Sequence, residues 1–223
     1  MQQTTSRKQQ HVDLVVNDNV SFRTKTTGFE RFEFVYNALP ELNFSEVSTK
    51  LQFLGLECSM PLIVSSMTGG YADAERINRE LAEVCESVRI PMGVGSQRQA
   101  MENSTYHASF RAVRASAPSV PIMSNIGAAE VAKMESMDGI LKIIDLVEAN
   151  ALFIHINPLQ ELLQPEGSPD FKGVLQGIER VVTALEIPVI VKEVGAGISH
   201  SVARRLLDVG VQGIDVAGAG GTS

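Results

Sequence analysis

Apolar runs begin near residues 62, 90, 121, 151, 188 and 214, and that beat constrains the fold more than any other feature. The step is about 30 residues, the length of one strand with its crossover helix. Each run then breaks into glycine and polar residues: PLIVSSMTGG (61–70), IPMGVGSQR (90–98), PIMSNIGA (121–128), ALFIHINPLQE (151–161), PVIVKEVG (188–195) and GIDVAGAGG (213–221). In the fourth, Ala151, Leu152, Phe153 and Ile154 read as a buried strand. The chain then turns polar through His155, Asn157, Gln160 and Glu161, with Pro158 forbidding a simple continuation. A buried strand that delivers polar side chains at its C-terminal end is what an α/β barrel places at its active face.

Helical patterns fill the gaps. Ile77, Leu81, Val84, Cys85 and Val88 form one apolar stripe, and Ile140, Ile143, Ile144 and Val147 the next. Val174, Ile178, Val181, Val182 and Leu185 form a third, and Val202, Leu206 and Leu207 a fourth, capped by Ser199. Apolar strands alternating with helices mean a parallel sheet. A doubly wound sheet puts GxGxxG after its first strand and gathers its ligand at one switch point. Here the first run ends SSMTGG and nearly every run ends polar, which favours a (β/α)8 TIM barrel. Six units are legible where a closed barrel needs eight, so the barrel is expected to be incomplete after the sixth strand. Residues 62–223 carry these units. Residues 1–61 form an N-terminal extension in which KLQFLGLECSMP (50–61), with a turn at Gly55, reads as a small hairpin.

The charge balance narrows the ligand. A formal charge of −7 argues against a general nucleic-acid or anionic-membrane surface, so an anionic ligand needs a local cluster of basic groups and backbone amides. No apolar run approaches the roughly 20 residues of a membrane helix, and the polar start MQQTTSRKQQH is no signal peptide, so a cytoplasmic location is expected. Cys58 and Cys85 stand far apart with no second pair, which reads as packed thiols and not as a metal site.

Several run ends carry chemistry. The glycines of SMTGG (66–70) leave backbone amides open to a ligand, or simply make a tight turn. GVGSQR (93–98) offers a hydroxyl, an amide and a guanidinium, with Arg98 suited to a bidentate phosphate contact or to a surface salt bridge. Asn125 can bond a heterocycle edge or cap a turn. Lys192 ends a buried run, where an ammonium is costly unless it lines a cavity or is paired, with Glu193 the nearest candidate. It can serve as a Schiff-base nucleophile, a phosphate contact or a donor to a flavin edge. Glu161 can bind Mg²⁺, act as an acid–base group, or be an ordinary solvated carboxylate.

Together SRKQQH (6–11), MTGG (67–70), GSQR (95–98), SNIG (124–127), HINPLQE (155–161), VKEVGAGIS (191–199) and AGAGGTS (217–223) resemble the type 2, FMN-dependent isopentenyl-diphosphate isomerases. The resemblance implies interconversion of isopentenyl and dimethylallyl diphosphate on FMN kept reduced, commonly by NADPH, with Mg²⁺ and in a homo-oligomer (tetramer or octamer). It assigns Met67, Thr68, Gly69, Ser96, Asn125, Lys192 and Thr222 to FMN, and Arg7, Lys8, His11, Ser96, Gln97 and Arg98 to the diphosphate. Gln160 falls beside the double bond, with His155 and Asn157 in the same pocket, and Glu161 on the metal. MTGG and VKEVG also belong, more loosely, to FMN-dependent hydroxyacid oxidases on the same barrel. A Lys192 aldolase and a catalytically dead binding module complete the readings.

Overall fold

The computed structural model describes residues 12–66, 69–71, 73–164 and 167–218. Two short strands, β1 (Leu51–Phe53) and β2 (Leu56–Cys58), pair antiparallel with Phe53 opposite Leu56. Leu54 and Gly55 turn between them with φ of 51° and 80°. Two positive φ values make the tight turn whose twist matches the strands, and Gly55 supplies one without strain. The expected hairpin is therefore present.

A second sheet holds five parallel strands in chain order: β3 (Met92–Gly93), β4 (Ile122–Gly127), β5 (Ala151–His155), β6 (Val189–Lys192) and β7 (Gly213–Asp215). Helices cross between them: α1 (Ala74–Val88), α2 (Arg98–Glu102), α3 (His107–Ser116), α4 (Ala128–Lys133), α5 (Asp138–Val147), α6 (Pro158–Leu163), α7 (Val174–Ala184) and α8 (His200–Asp208). Ser199 caps α8 by accepting from the Val202 amide. Pro158 opens α6, where its missing N–H costs nothing.

One expected strand is absent. The run at 61–66 joins the sheet at a single bridge, Val64 to Met92, and Leu62 and Ile63 are 59% and 42% exposed. Composition alone marked it as buried, but a strand needs a ladder, and Val64 exchanges bonds only with Pro91 and Gly93.

The two faces of the sheet differ. Outward residues such as Ile122, Ile126, Leu152, Ile154, Val189 and Val191 pack with Cys85, Phe110, Ile140, Ile143, Ile178 and Leu206 of the helices in one large core. The opposite face carries a small cluster of Met123, Ala151, Phe153 and Ile190, covered by Phe53 and Leu54 of the hairpin. Helices on one face only, with a short plug on the other, is the arrangement of a (β/α) barrel wall and not of a doubly wound sheet. At the strand starts, Arg114 ties the wall together by donating to the Ala117 and Glu148 carbonyls (2.8 and 2.9 Å) and to Asn150 Oδ1 (2.9 Å). No helix among the described residues is long and apolar enough to cross a membrane.

Candidate active site

The pleat sorts each strand into alternate faces. Since Met123, Phe153 and Ile190 face inward, so do Asn125, His155 and Lys192, two residues further along. The register pairs His155 with Lys192 and Lys192 with Asp215. β4, β5 and β6 thus each offer an apolar residue near the start and a polar one near the end, giving a polar layer above an apolar floor.

The polar layer is tightly held. Asn125 is buried; its Nδ2 donates to the Val94 carbonyl at 3.1 Å and its Oδ1 meets His155 Nδ1 at 3.0 Å. Lys192 is 5% exposed and its Nζ donates to the main-chain carbonyl of Glu193 at 2.8 Å. Burial pushes the Lys192 pKa down, against the opposing pull of Asp215 and then Glu193. The expected pairing with the Glu193 carboxylate is corrected: that group accepts from the amides of Gly195, Ala196 and Gly197 at 2.6, 2.6 and 3.1 Å. Three amides converging on one oxygen satisfy a buried carboxylate better than a lone ammonium can.

Gln97 is also placed differently from expectation. It is wholly buried on the helix side of the sheet, with Nε2 donating to the Ile143 carbonyl (3.0 Å) and Oε1 accepting from Ser124 Oγ (2.5 Å) and the Asn125 amide (3.0 Å). Its own amide donates to the Asn125 carbonyl at 2.8 Å. A side-chain contact with a diphosphate does not fit this placement, because every polar atom of the side chain is spent inside the wall.

Arg98, the next residue, lies at the rim with its side chain 54% exposed, 3.0 Å from Glu130 and 3.5 Å from Glu102. Ser96 is half-buried beside it. In the loop after β5, Asn157 Nδ2 donates to Gln160 Oε1 and Glu161 Oε1, both at 2.9 Å, and the Ser168 amide donates to Glu161 Oε2 at 2.6 Å. These three side chains form one cluster. No group of three or more His, Cys, Asp or Glu that could hold a metal occurs among the described residues, so Glu161 offers a single carboxylate. Gly69 is buried, and a Cβ on it would meet the Phe110 ring at 2.5 Å, so the backbone at Gly69 packs closely on α3. Arg7, Lys8, His11, Met67, Thr68 and Thr222 lie outside the described residues.

Two residues escaped the sequence reading. Asp215 was legible, since it is the polar end of an apolar run. Glu130 was not, because it sits on α4, and only the tertiary structure carries it to the rim. There its carboxylate crowds the place a Gly127 Cβ would take, a place 3.3 Å from His155 Nε2. Among the described residues, Ser66 Oγ and the Tyr71 hydroxyl are buried without a hydrogen-bond partner. Ser66 Oγ crowds the position of a Cβ on Gly93, an inward residue of the wall. A groove of about 450 Å³ lies elsewhere, on the outer faces of α3 and α5 around Arg111, Asp138 and Lys142, away from the strand ends.

Residues 1–133 match the FMN-dependent dehydrogenase family. The isopentenyl-diphosphate delta-isomerase of Chlorobium luteolum is 51% identical over 220 residues, covering 99% of this chain and 61% of its own length. That of Pseudescherichia vulneris is 46% identical over 97% of this chain and 62% of its own. The chain therefore spans less than two thirds of the relatives it matches. Among solved structures, a lactate oxidase of Pediococcus acidilactici superposes with a TM-score of 0.53 at 16% identity, over 82% of this chain and 54% of that one. A mandelate oxidase variant with a monooxide FMN adduct gives 0.52 at 14% identity, over 77% and 51%. At such identities the likeness shows the barrel fold alone.

Proposed function

The chain belongs to the FMN-dependent dehydrogenase family, and from that premise we propose that it forms the flavin- and substrate-facing wall of an isopentenyl-diphosphate delta-isomerase. The observation that carries this reading is the 51% identity over nearly the whole chain to an isomerase of that name. The polar layer supports it. A flavin needs an apolar surface for its ring and a cation with amide donors for its polar edge. Phe153 and Ile190 below, with Lys192, Asn125 and the unpartnered Ser66 hydroxyl, make a donor set of that chemistry.

In this reading Asn125, Lys192, Ser96 and Gly69 hold FMN together with Met67, Thr68 and Thr222. Arg98 takes the diphosphate with Arg7, Lys8 and His11, and Glu161 would hold a Mg²⁺, which would supply positive charge to the anionic head. The alkene end then falls to Gln160, with His155 and Asn157 beside it. An isolated alkene is a poor base, so its protonation demands a water-poor space that stabilises a developing tertiary cation. The buried floor excludes water, and the charges at the rim fix the anionic head so that the hydrocarbon end is held in place. When bound and reduced, FMN supplies an electron-rich ring beside the alkene. NADPH is the proposed reductant, and a homo-oligomer the proposed assembly.

The test is direct. A protein that carries this chain within a complete barrel, given FMN, NADPH and Mg²⁺ without oxygen, is expected to convert isopentenyl diphosphate to dimethylallyl diphosphate, followed by proton NMR. Flavin-coupled oxidation of lactate or mandelate without isomerisation would overturn the reading in favour of a hydroxyacid oxidase. Failure to bind FMN in either redox state would overturn both.

A further inference from the structure

The bonds around Gln97 have a fixed direction, and it propagates to the active face. The Ile143 carbonyl can only accept, so the Gln97 atom facing it is the amide nitrogen. Gln97 Oε1 therefore faces Ser124 Oγ and the Asn125 amide, and both must donate to it. One step on, the Val94 carbonyl can only accept, so the Asn125 atom facing it is Nδ2. That leaves Asn125 Oδ1 toward His155 Nδ1 at 3.0 Å, and an amide oxygen can only accept. Nδ1 must carry a hydrogen.

We infer that Gln97 is a positioning residue that fixes the tautomer of His155 through Asn125. The Nδ1 hydrogen is retained whether the ring is neutral or charged, so the proton His155 exchanges is the one on Nε2, on the side of Gly127 and Glu130. The strand β3 ladders with β4 over only two residues, Met92 and Gly93. The Val94 amide then donates to the Met123 carbonyl at 3.0 Å, and beyond it Gln97 clasps both main-chain polar groups of Asn125, its own amide donating to the Asn125 carbonyl and its side-chain oxygen accepting from the Asn125 amide. Without the Gln97 side chain the main-chain amide of Asn125 is left unsatisfied inside the wall, and Asn125 is free to shift relative to the Val94 carbonyl that orients its side chain. The inference leans on the proposed function only for what meets Nε2; the tautomer belongs to the ligand-free chain.

His107 provides an internal standard of opposite sense. It is buried, with Nε2 at 2.9 Å from the Ala100 carbonyl, so its hydrogen is on Nε2. The experiment is nitrogen-15 NMR of histidine-labelled, ligand-free protein above the histidine titration range, with His155→Gln and His107→Gln for assignment. The wild type is expected to show His155 as the Nδ1–H form and His107 as the Nε2–H form. Gln97→Met and Asn125→Leu are expected to return His155 to the Nε2–H-rich mixture of free histidine while His107 stays unchanged. Ser124→Ala, which removes one of the donors to Gln97, tests the same clasp if Gln97→Met does not fold. It is expected to shift His155 in the same direction by a smaller amount. An Nε2–H His155 in the wild type would overturn the inference. So would a His155 signal untouched by loss of Gln97, or one that moves only when His107 moves with it. None of these readouts depends on isomerase activity, so the proposed function can fail while this inference stands.

Discussion

Lys192 and Glu193 are neighbours of opposite charge whose charged groups go separate ways: the ammonium donates to the Glu193 carbonyl at 2.8 Å, and the carboxylate takes three amides of the following loop. Lys192 thus stays aimed at the interior as a buried cation, and among the described residues no carboxylate is in salt-bridge contact with it.

That arrangement has a cost with a definite pH dependence. Burial holds the Lys192 pKa below its ordinary 10.5. As pH rises through the folded-state value toward 10.5, the unfolded chain binds more protons than the folded one. Stability therefore rises over that window, and below it the full cost of the buried charge is present. Lys192→Met is expected to raise Tm at neutral pH and weaken FMN binding at least tenfold, with the Tm gain shrinking toward the top of the window. Thermal melts across pH check this; a lower Tm at neutral pH would mean the bond to Glu193 outweighs the desolvation.

Arg98 is half-exposed and already engaged by Glu130 at the rim. Arg98→Ala is expected to raise KM for the diphosphate substrate by loss of a charge-assisted bond of about 1.5–3 kcal/mol, roughly one to two orders of magnitude. Steady-state kinetics decide. An unchanged KM would place the diphosphate away from this rim.

Glu161, on α6, is held by Asn157 and the Ser168 amide. Glu161→Gln is expected to blunt the Mg²⁺ dependence of isomerisation while leaving FMN affinity within about twofold. Magnesium titrations of rate, with flavin fluorescence for binding, separate the two effects. Loss of flavin binding would show that α6 serves the cofactor and not the metal.

Gly93 faces inward, where an added Cβ would collide with Ser66 Oγ and lie 2.9 Å from the Phe153 ring. Gly93→Ala is expected to destabilise by about 1–3 kcal/mol, since a packed wall cannot admit a methyl group without displacing a neighbour. Urea unfolding measures it. A neutral result would mean that Phe153 can turn aside.

The sequence by itself determined the barrel beat, the hairpin, the four long amphipathic helices and the polar ends at His155, Asn157 and Lys192. Each is local information: apolar period, a Gly-bearing turn, a Ser cap, a polar break after an apolar run. Tertiary structure decided the rest. The run at 62 and the strand at 151 look alike in composition, yet one makes a single bridge and the other a five-residue strand, because pairing depends on what lies alongside. Gln97 and Arg98 are adjacent, yet one is sealed inside the wall and the other stands at the rim, because Gln97 is the N-cap and Arg98 the first residue of α2, where the turn of the chain points successive side chains in different directions. Glu130 reaches the site from a helix that carries no catalytic pattern. Direction of bonding, the property that fixes the His155 proton, exists only once carbonyls from Val94 and Ile143 are brought to Asn125 and Gln97 across the fold.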